Sequence, residues 1–389
     1  MRVLYLTANP NLGSTARTLQ AWLLLGHKSG LEAYVGVQKH GALTDWLETH
    51  RIPYQVNPMP WFDKKNPFKS LRQACKLARW ARRAKVDLVH CNEHDVYPFG
   101  IFVARLTRCP IVCHVRFEIA EGFCRWAFGK WKQPDALLWT SQQQRYDCAA
   151  AINGNVAQDR QRVIHLGLDL TKFGKCHETR EATRKQWGIR PNEIVLGNAS
   201  ALRPVKRIED FVELVRLLSQ RWPEVVGVLA GPVIPGDEGY RDTILQQIER
   251  AALGRQFRWL GNMDHIEPFH HAVDIYVSTS AYETFGMSVC EAMACRRPVV
   301  AYRGGSVHEV VGDAGLIVET GDLPALAAAL KGLVRCPERC EELGQLGQQR
   351  VAEHFNAANS LRQVMRLYES ILADRPFKGG PQLSTNFSP

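Results

Sequence analysis

The chain alternates short apolar or β-branched runs with amphipathic stretches. RVLYLTA reads as a strand, followed by the loop NPNLGST and a helix through ARTLQAWLLLGHKSG that stops at a glycine. EAYVGVQ is the next strand, SLRQACKLARWARRAK a helix and VDLVHC a strand; YPFGIFVARLTR and PIVCHVRF repeat the pair. This order predicts a parallel sheet with helices on both faces, with ligands at the carboxyl ends of its strands. After the glycine-punctuated stretch RVIHLGLDLTKFG and the polar HETREATRKQWGI, a second series begins at EIVLGNAS. It continues through VVGVLAG, FRWLGN, DIYVSTS, RPVVAYR and GLIVET, with helices between them. The expected fold is α/β, with two doubly wound parallel-sheet domains. Their expected bounds are 1–170 and 191–355, with a linker at 171–190, a crossover helix at 356–374 and a flexible tail at 375–389.

Length agrees, because 389 residues exceed what one core usually organises. The net charge of +10 points to an anionic partner without choosing among nucleic acid, membrane and phosphorylated small molecule. Nucleic acid is disfavoured: the densest basic cluster, RWARRAK at 79–85, carries no nucleic-acid motif and reads as the solvated face of a helix. Eleven cysteines without a CxxC pair fit reduced, mostly buried thiols. The apolar run in MRVLYLTANP is too short for a signal-peptide core, and no stretch has the length of a membrane span. A cytoplasmic protein is expected. PMPWFDKKNPF, with Lys64 and Lys65, suits either peripheral contact with an anionic membrane or an ordinary exposed loop.

SAYETFGMSVCEAMACRRPVV at 280–300 places Glu283 and Glu291 with seven residues between them. On one unbroken helix, eight steps of about 100° would leave the carboxylates badly out of line. A loop position for Glu283 is therefore expected, with a helix starting near Gly286 or Met287 and Met287, Cys290, Met293 and Ala294 as its apolar stripe. A carboxylate accepts two hydrogen bonds at once and suits the paired hydroxyls of a ribose. The free backbone N–H groups from Gly286 to Ser288 suit a phosphate. Together these describe a site for a nucleotide sugar. Two surface glutamates beside a helix would have the same spacing.

This stretch, continued by VAYRGGSVHEVV, resembles the signature of the family 4 retaining glycosyltransferases, whose EX7E motif Glu283 and Glu291 match. FRWLGN, HAVDIYVSTS, GLIVETGD, VIHLGLDLTKF, DLVHCNEHD and RCPIVCHVRF are similar to other segments of that family, in the same order. The resemblance implies the GT-B architecture, two Rossmann-like domains facing across a cleft. By it Glu291 holds the ribose, while Glu283 and the backbone of Phe285, Gly286, Met287 and Ser288 face the donor sugar and its diphosphate. Glu309 in GGSVHEVV matches a motif glutamate that is structural or functional.

NASALRPVKRIEDF supplies Arg203, Lys206 and Arg207, cations of the kind that stabilise a leaving phosphate. Lys206 fits the family's lysine. Ser200 and Ala201 stand where a Gly-Arg pair is usual, so Arg203 takes the arginine's part from a shifted position or the part is unfilled. The amino-terminal loop keeps only Gly13 of a usual glycine pair, and Arg296 replaces a glycine that commonly ends a helix at positive φ. His114, Arg116 and Glu118 alternate, and share one face if their strand continues; His114 and Arg116 are the candidates for the family's histidine near the acceptor. In HCNEHD, His90, Glu93, His94 and Asp95 have ligand chemistry, but the preceding strand breaks the helical spacing and no second cluster completes a site. The resemblance implies no metal.

The expected function is retaining transfer of a sugar from a nucleoside-diphosphate donor, UDP- or GDP-linked, to a hydroxyl of a glycan or glycolipid in cell-surface polysaccharide or lipopolysaccharide synthesis. The alternatives are a sugar-nucleotide epimerase of the same fold and a nucleotide-binding protein without transferase activity.

Overall fold

The computed structural model describes residues 1–11, 13–61, 67–129, 133–152, 154–173 and 177–374. Lys64, Lys65 and the tail at 375–389 lie outside the described residues. The strands are β1 Arg2–Thr7, β2 Glu32–Val37, β3 Tyr54–Val56, β4 Leu88–Cys91, β5 Ile111–Val115, β6 Ala136–Trp139, β7 Gln161–Val163, β8 Ile194–Ala199, β9 Val225–Ala230, β10 Phe257–Trp259, β11 Ile275–Ser278, β12 Val299–Tyr302 and β13 Leu316–Val318. They form two sheets, ordered β3-β2-β1-β4-β5-β6-β7 and β10-β9-β8-β11-β12-β13. Every strand pair is parallel, for example β1 with β4 and β8 with β11.

Alternation within each strand explains why both faces need helices. Leu4 and Leu6 pack on one side of the first sheet with Val89 and Cys113, while Val3 and Tyr5 pack on the other with Val112 and Leu138. In the second sheet Tyr276 enters one core and its neighbours Ile275 and Val277 the other. The chain order reverses between β1 and β4, and again between β8 and β11, so each sheet has a crevice at the carboxyl ends of its central strands.

Two connections tie the sheets. In the segment read as a linker, the helix His177–Gln186 docks on the second domain: Arg180 and Arg184 both engage the carboxylate of Asp274. The helix Ala357–Ala373 returns to the first, burying Leu361, Val364 and Tyr368 with Tyr5 and Trp22, whose indole donates to Ser360 Oγ at 2.9 Å. Cys75, Cys91, Cys113, Cys124, Cys148, Cys290, Cys295, Cys336 and Cys340 are free thiols. No helix among them is long and apolar enough to cross a membrane.

Two local expectations meet a physical test here. Arg296 does take positive φ, 62°, so the turn keeps the conformation that glycine favours and the guanidinium pairs with Glu341. The alternation of His114, Arg116 and Glu118 holds for the first two, which both pack on the Trp22 ring, and ends there, because β5 stops at Val115. Beyond it Arg116 turns into the protein and Glu118 is exposed.

Candidate active site in the interdomain cleft

Lys206 and Glu283 sit at the switch point of the second sheet, on the loops that follow β8 and β11. Two bonds fasten these loops together: Ala281 N–H donates to Val205 O at 2.8 Å, and Thr279 Oγ1 to Lys206 O at 2.9 Å. The result is an ion pair, Lys206 Nζ to Glu283 Oε1 at 2.6 Å, with Ser280 Oγ donating to the same oxygen at 2.8 Å. Both side chains are about four-fifths covered, at 17% and 22% exposure, so the pair is shielded yet reachable.

Glycine is required on both sides of Glu283. Gly286, at φ 95°, starts the helix Met287–Ala294. The first N–H groups of that helix have no partner within it. Gly305, at φ 57°, approaches so closely that a Cβ there would lie 2.4 Å from Glu283 O and 2.9 Å from Glu283 N. Gly305→Ala is therefore expected to lower stability by about 1–3 kcal/mol, from backbone strain and the clash. A urea denaturation midpoint equal to the wild type's would contradict this.

Glu291 lies inside the helix and is 1% exposed. Its Oε2 is 3.4 Å from His270 Nε2, and its Oε1 is 3.2 Å from an Arg17 terminal nitrogen. Oε1 is close enough to Arg17 for attraction but badly angled, and it has no hydrogen-bond partner among the described residues. Burial alone would raise the pKa of Glu291; Arg17 and then His270 outweigh it, and the carboxyl sits below its ordinary range.

Of the remaining predicted residues, Arg203 points away, its Nε 3.2 Å from Asp237 Oδ2 and its side chain 54% exposed. Arg207 is likewise engaged, by Asp210 Oδ2 at 2.8 Å. The structure does not bring either to Glu283. Ala201 follows β8 half-buried. The Phe285 side chain is core, packed on Phe355, and the Met287 side chain is buried, so each reaches the cleft only through its backbone. Ser288 is half-buried, and Gly13 begins the helix Ser14–Lys28. His90 bonds Tyr368 OH at 2.5 Å while Glu93 accepts from Thr7 Oγ1 at 2.9 Å, so the residues of HCNEHD turn to different neighbours.

No residue pattern announced the seam that closes the cleft. Thr284 Oγ1 donates to Arg116 O at 2.9 Å, and its carbonyl accepts Thr140 Oγ1 at 2.8 Å and Ser141 Oγ at 2.9 Å. Glu309 reaches across as well: its carboxylate accepts Gln142 N–H at 3.0 Å and Gln143 N–H, with His165 Nε2 at 3.3 Å. Of the two roles open to Glu309, the geometry shows a structural one, a helix cap supplied by the opposite domain. Arg17 was equally hidden, one of many arginines on amphipathic helices.

Two facing Rossmann-like domains with this cleft form the GT-B architecture. Residues 179–350 match the model of glycosyl transferases group 1, and residues 29–172 that of glycosyltransferase family 4. The chain belongs to the family 4, group 1 glycosyltransferases, and it is an enzyme that transfers sugar. It is 29% identical over 331 residues to the N-acetyl-alpha-D-glucosaminyl L-malate synthase of Bacillus anthracis, covering 82% of both chains. It is 26% identical over 307 residues to the lipopolysaccharide core biosynthesis mannosyltransferase LpcC of Rhizobium leguminosarum bv. viciae, covering 78% of this chain and 84% of that one. HepE of Anabaena, solved in complex with UDP and glucose, superposes with a TM-score of 0.83 at 23% identity, over 95% of this chain and all of that one.

Proposed function

We propose that this enzyme moves a sugar from a nucleoside-diphosphate donor, UDP- or GDP-linked, to a hydroxyl of a glycan or glycolipid, with retention at the anomeric carbon. The observation that carries the reading is the shielded Lys206–Glu283 pair beside the helix start at Gly286, with the Glu291 carboxylate buried farther along the same helix. In this reading Glu291 accepts the ribose hydroxyls, and the first N–H groups of the helix hold the diphosphate. Lys206 meets the charge that grows on the leaving phosphate, and Glu283 orients Lys206 and faces the sugar. The UDP complex of HepE and the mannosyltransferase activity in the name of LpcC support the donor class.

The chemistry needs no metal or other cofactor in this reading, because a fixed cation and a helix end serve the phosphate. The acceptor hydroxyl attacks from the face the nucleotide leaves, and the departing phosphate takes its proton. Incubation with UDP- and GDP-sugars, with and without a lipopolysaccharide-core acceptor, tests the proposal. Acceptor-dependent release of nucleoside diphosphate, with the anomeric configuration kept by NMR, is expected. Sugar interconversion without acceptor would instead establish an epimerase, and binding without release an inactive nucleotide-binding protein.

The reading includes peripheral contact with an anionic membrane from the cytoplasmic side. Arg72, Lys76, Arg79, Arg82 and Arg83 stand exposed on the helix Pro67–Arg83, which carries no acidic residue, and Phe68 is 79% exposed at its start. Salt-sensitive cosedimentation with phosphatidylglycerol vesicles is expected, and none with phosphatidylcholine; equal behaviour toward both would refute it.

A further inference from the structure

Arg116 is the residue after β5, and its carbonyl accepts the Thr284 hydroxyl, so its main chain lies against the loop that carries Glu283. The side chain runs back into the first domain and is buried, at 3% exposure. Its Nε donates to Asn92 O and its Nη2 to Asn92 Oδ1, both at 3.0 Å, and the guanidinium lies 5.6 Å from the centre of the Trp22 ring. Nη1 has no hydrogen-bond partner among the described residues. Glu93, the carboxylate beside Asn92, is occupied by Thr7 Oγ1, Asn92 Nδ2 and Ala8 N–H. Among the described residues no carboxylate forms an ion pair with Arg116.

A buried charge is costly unless something pairs with it. The Glu93 carboxylate attracts the guanidinium from nearby, but no acceptor among the described residues lies within hydrogen-bond reach of Nη1. Among the described residues His114, stacked on Trp22 with ring centres 5.9 Å apart, has no partner for either ring nitrogen, and His90 has none for Nε2. Burial, and then the charge of Arg116, lowers the pKa of both imidazoles, that of His90 to about 3. Each is then neutral, with one ring N–H that donates and one ring nitrogen that accepts.

We propose that Arg116 binds an anionic substituent, a carboxylate or phosphate, on the acceptor molecule. The acceptor is the source because Arg116 belongs to the first domain, whereas the cation and helix start assigned to the donor's diphosphate belong to the second. The inference rests on the donor reading above, and adds to it the charge of the acceptor.

The test is calorimetric titration of the full chain with matched pairs: glycerol 3-phosphate against glycerol, and methyl glucuronide against methyl glucoside, each with and without saturating UDP. At least one anionic member is expected to bind about tenfold more tightly than its neutral partner or better. Arg116→Gln is expected to abolish that preference while UDP binding persists, and Arg116→Lys to keep part of it. Equal binding within both pairs overturns the proposal, and because this compares ligands on the wild type it holds even where Arg116→Gln fails to fold. A preference for UDP-glucuronate over UDP-glucose that Arg116→Gln removes assigns the anion to the donor and also overturns it. Loss of UDP binding alone refutes the donor site, since the preference among anions is read separately.

Discussion

Lys206→Ala is expected to lower kcat by ~10² to 10³, with a much smaller change in donor affinity. The ammonium is held within 2.6 Å of Glu283 by two loops hydrogen-bonded to each other, so its position is fixed before substrate arrives. A fixed cation stabilises charge that develops in the transition state more than charge already spread over the bound diphosphate. No other cation of the same loop substitutes for it: Arg203 is turned to Asp237 and Arg207 to Asp210. Lys206→Arg keeps the charge and is expected to recover part of the rate. Steady-state release of nucleoside diphosphate measures both variants, and a kcat for Lys206→Ala within threefold of wild type would refute the assignment.

Glu291→Ala is expected to act on the other kinetic constant. One or two charge-assisted hydrogen bonds to ribose hydroxyls are worth about 1.5–3 kcal/mol each, so donor affinity is expected to fall by roughly 10- to 100-fold or more. The carboxylate is suited to this because Oε1 has no hydrogen-bond partner although Arg17 keeps the group ionised. The variant also leaves Arg17 and His270 facing an uncharged methyl group, so some loss of stability is expected as well. Donor titration separates the two effects, since weakened binding shows as a raised KM in the fraction that remains folded. An unchanged KM for the sugar nucleotide would contradict the ribose assignment.

Most of the parallel strands were legible because burial on both faces fills them with apolar and β-branched residues, as in IVL of β8 and IYV of β11. Tyr54–Val56 and Gln161–Val163 escaped because polar Gln55, Gln161 and Arg162 break the apolar run, and Ala136–Trp139, ALLW, because it has no β-branched residue to mark it as strand. At the site, residue types were readable and pairings were not. Glu283 and Glu291 were marked by their interval and Lys206 by its loop, yet nothing in the sequence links Lys206 to a carboxylate 77 positions away. Arg203 shows the converse. Its loop was correctly read as basic, but Asp237, which claims its side chain, comes from a different loop after β9. Arg116 was picked out by its place near the end of β5, where the family has a histidine, and its burial against Asn92 became visible only in three dimensions.

The central claim is that the loops after β8 and β11, with the helix from Met287, hold a sugar nucleotide. The most direct measurement is thermal unfolding of the wild type and of Glu291→Ala against UDP, GDP, ADP, CMP and their common sugar conjugates. A ligand at about a hundredfold excess over Kd adds roughly 2.7 kcal/mol to the folded state. The account predicts that UDP or GDP, with its sugars, stabilises the wild type and that the shift shrinks or vanishes in Glu291→Ala. Equal shifts in both proteins, or none with any nucleotide, would contradict it.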